Sequence, residues 1–135
     1  MRVLISFNLK DVALAEAIRA SLFVVDCDLE IVLSPASYGA VFWRANIANG
    51  ISEVDAFVLL IGPNGIGPWQ EVEYHIALNR HMRDGRFAVV PIIAAGSQVP
   101  RASFLRSLNF VEAPVITDRS MLRRLVGALK GELNQ

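Results

Sequence analysis

Trp69 and Glu73 stand four residues apart in a stretch with helical character, from Pro68 to about Arg83, and therefore share one face about a turn into that helix. Ile76, Ala77 and Arg80 continue the face, so Glu73 falls at the margin of an apolar stripe, while Glu71 points away, within reach of His75. Either the carboxylate is there because acids are favoured near a helix N-terminus, or it has a chemical task. The preceding loop, Gly62-Pro63-Asn64-Gly65-Ile66-Gly67, is open to two readings as well. It is a tight turn into the helix, or a backbone that approaches a ligand with the helix-start amides facing anionic groups. It lacks the Gly-Lys-Ser/Thr ending of a P-loop, and no Gly-x-Gly-x-x-Gly follows the first strand. Tyr38 and Trp43 can stack on a base or ring, or else pack the second helix.

Other chemistries find little support. His75 and His81 are six apart and do not share a helix face, and no Cys or His cluster exists, so a metal site is not expected. Cys27 is the single cysteine; it has no evident base and is expected in the core, and no internal disulfide can form. Ser6, Ser34 and Ser37 lack a Gly-x-Ser-x-Gly elbow. With 13 basic and 13 acidic residues, nothing in the charge balance favours direct contact with nucleic acid or anionic lipid. The late cluster Arg119, Arg123, Arg124 and Lys130 recurs on a helix as a solvated face. Apolar runs such as Ala56 to Ile61 are far shorter than the roughly 20 residues that span a bilayer. A first strand that opens at Arg2 leaves no signal peptide, and a cytoplasmic location is expected.

The elements that must position these residues follow from periodicity. Strands are expected over Arg2–Phe7, Leu29–Leu33, Ala56–Ile61, Phe87–Ile93 and Phe110–Val111, with Pro91 marking a bulge or a strand end. Helices are expected from about Val12, capped by Asn8 or Asp11, to Leu22; over Phe42–Ile51; over Pro68–Arg83; over Ala102–Leu108; and from Asp118 to about Leu133. Ser34 to Gly39 and Ala94 to Pro100 read as loops. The alternation implies an α/β fold: a flavodoxin-like three-layer αβα sandwich around a five-stranded parallel sheet, order 2-1-3-4-5. The hydrophobic fraction of 53% suits strands buried on both faces. Residues 1–135 are expected to form a single domain, with room for a longer protein to continue beyond it.

Such sheets bind ligands outside the carboxyl ends of the strands, where the strand order reverses. Here that crevice lies between the first and third strands. Phe7, Asn8 and Leu9 form one wall and Gly62 to Trp69 the other, with the loop Ser34 to Val41 leaning over both.

Three segments together resemble a bacterial TIR (Toll/interleukin-1 receptor) domain. They are Val3-Leu4-Ile5-Ser6-Phe7 followed by Asp11; Leu60-Ile61-Gly62-Pro63-Asn64-Gly65-Ile66-Gly67-Pro68-Trp69-Gln70; and Val89-Val90-Pro91-Ile92-Ile93-Ala94-Ala95-Gly96. The resemblance spans residues 2 to 130. Enzymatic members carry Trp-x-x-x-Glu on the helix after the third strand, which Trp69 and Glu73 match. Two departures stand out: Pro35-Ala36 followed by the bulky Ala40-Val41-Phe42-Trp43 where the family usually has Pro-Gly, or Gly before a Trp, and Phe7 in place of the usual Tyr.

The resemblance implies cleavage of the nicotinamide–ribose bond of NAD⁺, giving nicotinamide and ADP-ribose or a cyclic isomer, in bacterial immune (antiviral) or stress signalling. It implies Glu73 as the catalytic carboxylate and Phe7, Asn8, Tyr38, Trp43, Gly62 and Trp69 as contacts for NAD⁺, which is substrate; no cofactor or metal is called for. The helix N-terminus is expected to keep Glu73 ionised, and Trp69 to shield it from water. Self-association with other TIR domains is expected. The rival implication is a non-catalytic module that signals by TIR–TIR assembly, and a third is a nucleotide sensor without turnover.

Overall fold

Five short apolar segments pair side by side in the computed structural model, which describes residues 1–35, 41–94, 111–113 and 118–131. They are β1 (Arg2–Ser6), β2 (Glu30–Leu33), β3 (Ala56–Ile61), β4 (Ala88–Ala94) and β5 (Val111–Ala113). All neighbours run parallel, in the order β2-β1-β3-β4-β5. This is the flavodoxin-like order expected from the alternation of elements.

Alternate residues of a strand face opposite sides of the sheet, and both sides are filled here. Val3 and Ile5 of β1, with Ala56, Val58 and Leu60 of β3, meet α1 (Val12–Val25) and α5 (Arg119–Leu129) through Ile18, Leu22, Leu122 and Leu125. Leu4, Phe57, Leu59 and Ile61 face the other way, against α3 (Ile47–Ser52) and α4 (Pro68–Arg83). β3 is buried along its whole length, as a central strand must be.

Some local expectations change. The single helix over Phe42–Ile51 is two, α2 (Val41–Ala45) and α3, separated by Asn46 at φ −129°, which is not helical. Pro91 interrupts nothing. β4 runs through it, paired with Leu59, and β5 joins β4 only from Ile92 on. Cys27 is exposed in the turn before β2 rather than in the core, which suits a position between a helix end and an edge strand. Asn8, not Asp11, makes the side-chain cap at the start of this helical segment, accepting from the Lys10 amide over the 3-10 turn Leu9–Asp11. Asp118 caps α5 by accepting from the Ser120 amide. The helix expected over Ala102–Leu108 lies outside the described residues. Among the described residues no helix is long and apolar enough to cross a membrane.

Candidate functional site

Strand parity decides what stands at the carboxyl ends of β1 and β2. Leu4 faces α3 and α4, so Ser6, two residues on, faces them too. Val32 packs on the same side, and Ser34 follows it by the same step. The register Ile5↔Leu33 sets Ser6 and Ser34 at one level, and the Ser34 amide donates to the Ile5 carbonyl at 2.9 Å. Two hydroxyls thus end two adjacent strands on one face, and both are fully buried.

Helix α4 brings Glu73 to them. Its buried stripe is Gln70, Glu73, Tyr74, Ala77 and Leu78, the spacing of a helix face laid on a sheet. Glu73 is at the centre of that stripe and has no exposed surface, where the sequence places it at the margin. Gln70 anchors the helix. Its Oε1 accepts from the Gly67 amide at 3.0 Å, and its Nε2 donates to the carbonyls of Leu60 at 2.6 Å and Ser6 at 3.2 Å. One buried amide side chain therefore ties the loop, the helix start and both central strands together.

Three donors converge on the carboxylate. Ser6 Oγ donates to Oε1 at 2.8 Å, Ser34 Oγ donates to Oε2, and the Trp43 indole Nε1 donates to Oε2 at 3.0 Å. All three are neutral. Burial pushes the Glu73 carboxyl above the ordinary carboxylate range, and the bonds from Ser34, Ser6 and Trp43 pull in the opposite direction without cancelling it. The helix N-terminus expected to act on this group is out of reach. Glu73 is the sixth residue of α4, and the influence of a helix end fades within its first turn.

The aromatic beside the carboxylate is Trp43, and its seat is unusual. A Cβ built on Gly50 of α3 would fall 3.0 Å or less from three carbons of the Trp43 ring, so the ring lies directly on the bare backbone. Trp69 is 37% exposed, and the Arg44 guanidinium covers its ring at 4.7 Å from the centroid. Trp69 thus borders the site and donates nothing to Glu73. Arg80, further along α4, closes the end of α3 by donating from Nη1 to the carbonyls of Ile51 at 2.5 Å and Val54 at 2.6 Å, and it lies over the Phe87 ring.

The remaining expected contacts divide. Asn8 bridges the crevice, donating from Nδ2 to the Asn64 carbonyl at 3.1 Å and the Gly65 carbonyl at 3.5 Å. Gly62 is buried under Asp11, whose carboxylate would collide with any Cβ at that position. Asp11 in turn accepts from the Asn64 side chain at 2.6 Å. These residues brace the turn Gly62–Gly65, where Gly65 adopts φ 73°. Phe7 is not a crevice wall. Its odd-numbered place after Val3 and Ile5 sends it to the opposite core, with 1% exposure. Tyr38 lies outside the described residues.

Ser6, Ser34 and Gln70 are the functional candidates that residue-by-residue reading misses. The usable signal was parity: a serine closing each of two neighbouring parallel strands, on the side that α4 covers. A TIR domain family model matches residues 3–126 of the chain. No curated protein matches it.

Proposed function

The chain belongs to the TIR domain family, and from that premise we propose that it cleaves the nicotinamide–ribose bond of NAD⁺ with Glu73 as the essential carboxylate. Some members of the family cleave NAD⁺ and others only assemble. One observation favours cleavage: a fully buried carboxylate at the switch point of the sheet, held by three neutral donors. A carboxylate kept for structure alone is ordinarily paired with a cation when buried, because an uncompensated charge is costly there. Two hydroxyls and an indole steady this one while leaving its negative charge uncancelled.

That charge suits the reaction. As the bond to the cationic nicotinamide lengthens, its electron pair leaves with the ring, which departs neutral and needs no general acid. Positive charge grows on the ribose, where an ionised Glu73 stabilises it and accepts from the ribose hydroxyls. A carboxylate offers about four lone-pair sites and three donors occupy them here, so a ribose hydroxyl can add to the donors already in place. Water then adds to the ribose carbon and releases a proton, giving ADP-ribose; an internal nucleophile gives a cyclic isomer. In this reading Asn8 and the braced turn would line the rest of the dinucleotide, and Trp69 would offer a ring at the rim, while Gly62 serves by leaving room for Asp11.

The experiment is NAD⁺ turnover by concentrated protein, with Glu73→Gln and the first-turn variant Glu71→Gln side by side. Loss with the first and retention with the second support the reading; equal turnover by Glu73→Gln and the wild type refutes it.

The reading as an assembly module has its own observation. Val41 and Phe42 at the start of α2 are 78% and 82% exposed, an apolar pair beside the site. Assembly and catalysis are compatible, and specific activity that rises with protein concentration would join them.

A further inference from the structure

We propose that Gly50 is a positioning residue for the Glu73 site: its missing side chain seats the Trp43 ring so that the indole N–H reaches the carboxylate. The consequence for turnover rests on the reading of Glu73 given above; the consequence for the carboxylate itself does not.

The geometry leaves the ring little choice. Trp43 sits on α2, two helices before α4, and its Nε1 lies 3.0 Å from Glu73 Oε2. The six-membered half of the same ring rests on Gly50, with Cζ3, Cη2 and Cε3 all within 3.0 Å of where a Cβ would be. The ring is rigid, so a methyl group at position 50 cannot be accommodated by bending it. The whole side chain must rotate, and the N–H leaves Oε2 with it. Glycine is a poorer helix former than alanine, and α3 is only six residues long. A glycine within so short a helix therefore points to a packing requirement, and the Trp43 ring supplies it.

Around Glu73 the other partners are uncharged: Ser6 from β1, Ser34 after β2, and Trp43 from α2. β3 and α3 contain no titratable residue. β1 and β2 contribute Arg2 and Glu30, which pair with each other at the far end of the strands. The charge on α2 is Arg44, whose guanidinium covers Trp69. On α4 itself, Glu71 precedes Glu73 on an exposed face and His75 stacks on Tyr74. Asp11, at the start of α1, is turned to Asn64 and Gly62. Removing the indole N–H thus takes away one of three neutral donors, with no cation among the described residues that bond to Glu73 to take over.

The test is carboxyl NMR of the whole chain, with the Glu73 resonance assigned by its loss in Glu73→Gln. Glu73 is titrated in wild type, Trp43→Phe, Gly50→Ala, the double variant and Gly85→Ala, a control glycine whose Cβ would meet open space. A donor to the charged form lowers a carboxyl's proton affinity, so its loss should raise the Glu73 midpoint by about one to two units in Trp43→Phe and in Gly50→Ala. The double variant should equal Trp43→Phe alone, because both act through one bond. In Gly50→Ala the Trp43 indole proton should leave its hydrogen-bonded position in the spectrum, and Gly85→Ala should match the wild type. Where the wild type turns over NAD⁺, the acid limb should move to higher pH by the same shift. A Trp43→Phe midpoint equal to wild type overturns the proposal, even if Gly50→Ala does not fold. So does a Gly50→Ala protein that keeps its indole bond, or shifts that add in the double variant. Shifts as expected in a protein without NAD⁺ turnover would sink the enzymatic reading and leave the positioning role standing.

Discussion

β1 and β2 meet charge at both ends, their own at one and that of α4 at the other, and the two ends treat it in opposite ways. At the amino ends Arg2 and Glu30 face each other at 3.5 Å, with side chains 44% and 67% exposed. Water screens such a pair, and its contribution is small. At the carboxyl ends Ser6 and Ser34 close over Glu73, which has no exposed surface. The same ladder of backbone bonds supports both arrangements. The difference lies in what the strand ends meet, water at one end and a buried carboxylate at the other, and not in how the strands pair. A charge placed at a cost, beside the place where parallel sheets bind ligands, is the feature on which the proposed cleavage of NAD⁺ rests.

The comparison can be broken or sharpened at four points, in falling order of effect. The largest concerns the buried end. Glu73→Gln keeps the shape and removes the charge, and NAD⁺ turnover should fall about 100-fold or more, equivalent to roughly 3 kcal/mol of transition-state stabilisation. A product assay by chromatography reads this directly, and undiminished turnover would make the two strand ends equivalent in function.

Next comes the rim. Trp69 is partly exposed and sits under Arg44, so Trp69→Ala should cost about 1–2 kcal/mol of stability and weaken NAD⁺ binding. Trp69→Phe keeps a ring beneath the guanidinium and should retain most of both. Thermal melts with NAD⁺ titrations check this; a Phe variant that binds as poorly as Ala with a normal melt would reveal a specific bond from the indole N–H.

The third effect is a gain. Burial raises the proton affinity of Glu73 in the folded chain, so folding favours its protonated form. The stability this lends is present below the ordinary carboxylate pKa and is lost as pH rises through the raised folded value. Above that range the ionised group opposes folding, and Glu73→Gln should melt higher than wild type at pH 8, with the gap narrowing at acid pH. A variant that melts lower at every pH would show the carboxylate to be a structural asset. The smallest effect belongs to the amino end: Glu30→Gln should change stability by less than about 0.5 kcal/mol, measured by denaturant unfolding.

The element order and the strand order were legible because buried parallel strands read as unbroken apolar runs, as Ala56 to Ile61 does. Glu73 was legible through its spacing from Trp69. Its surroundings were not. Ser6 and Ser34 looked inert when each was judged as a lone nucleophile, because their partnership depends on register between strands 28 residues apart. Phe7 was misplaced because its nearness to the strand end outweighed its parity. The indole that serves the carboxylate is Trp43, 30 residues away, while Trp69, on the same helix, faces outward. Helical spacing identifies neighbours along one helix and is silent about what a second helix brings.

Arg80 joins the two helices that carry this machinery. By donating to the carbonyls of Ile51 and Val54, it makes a residue of α4 the closing cap of α3. The seat of the Trp43 ring and the carboxylate it serves should therefore open together, as one cooperative unit, in the native-state fluctuations of the molecule. Amide protons of α3 should exchange with solvent at the rate of the α4 interior rather than at the fast rate of a free six-residue helix, and Arg80→Met should release α3 first.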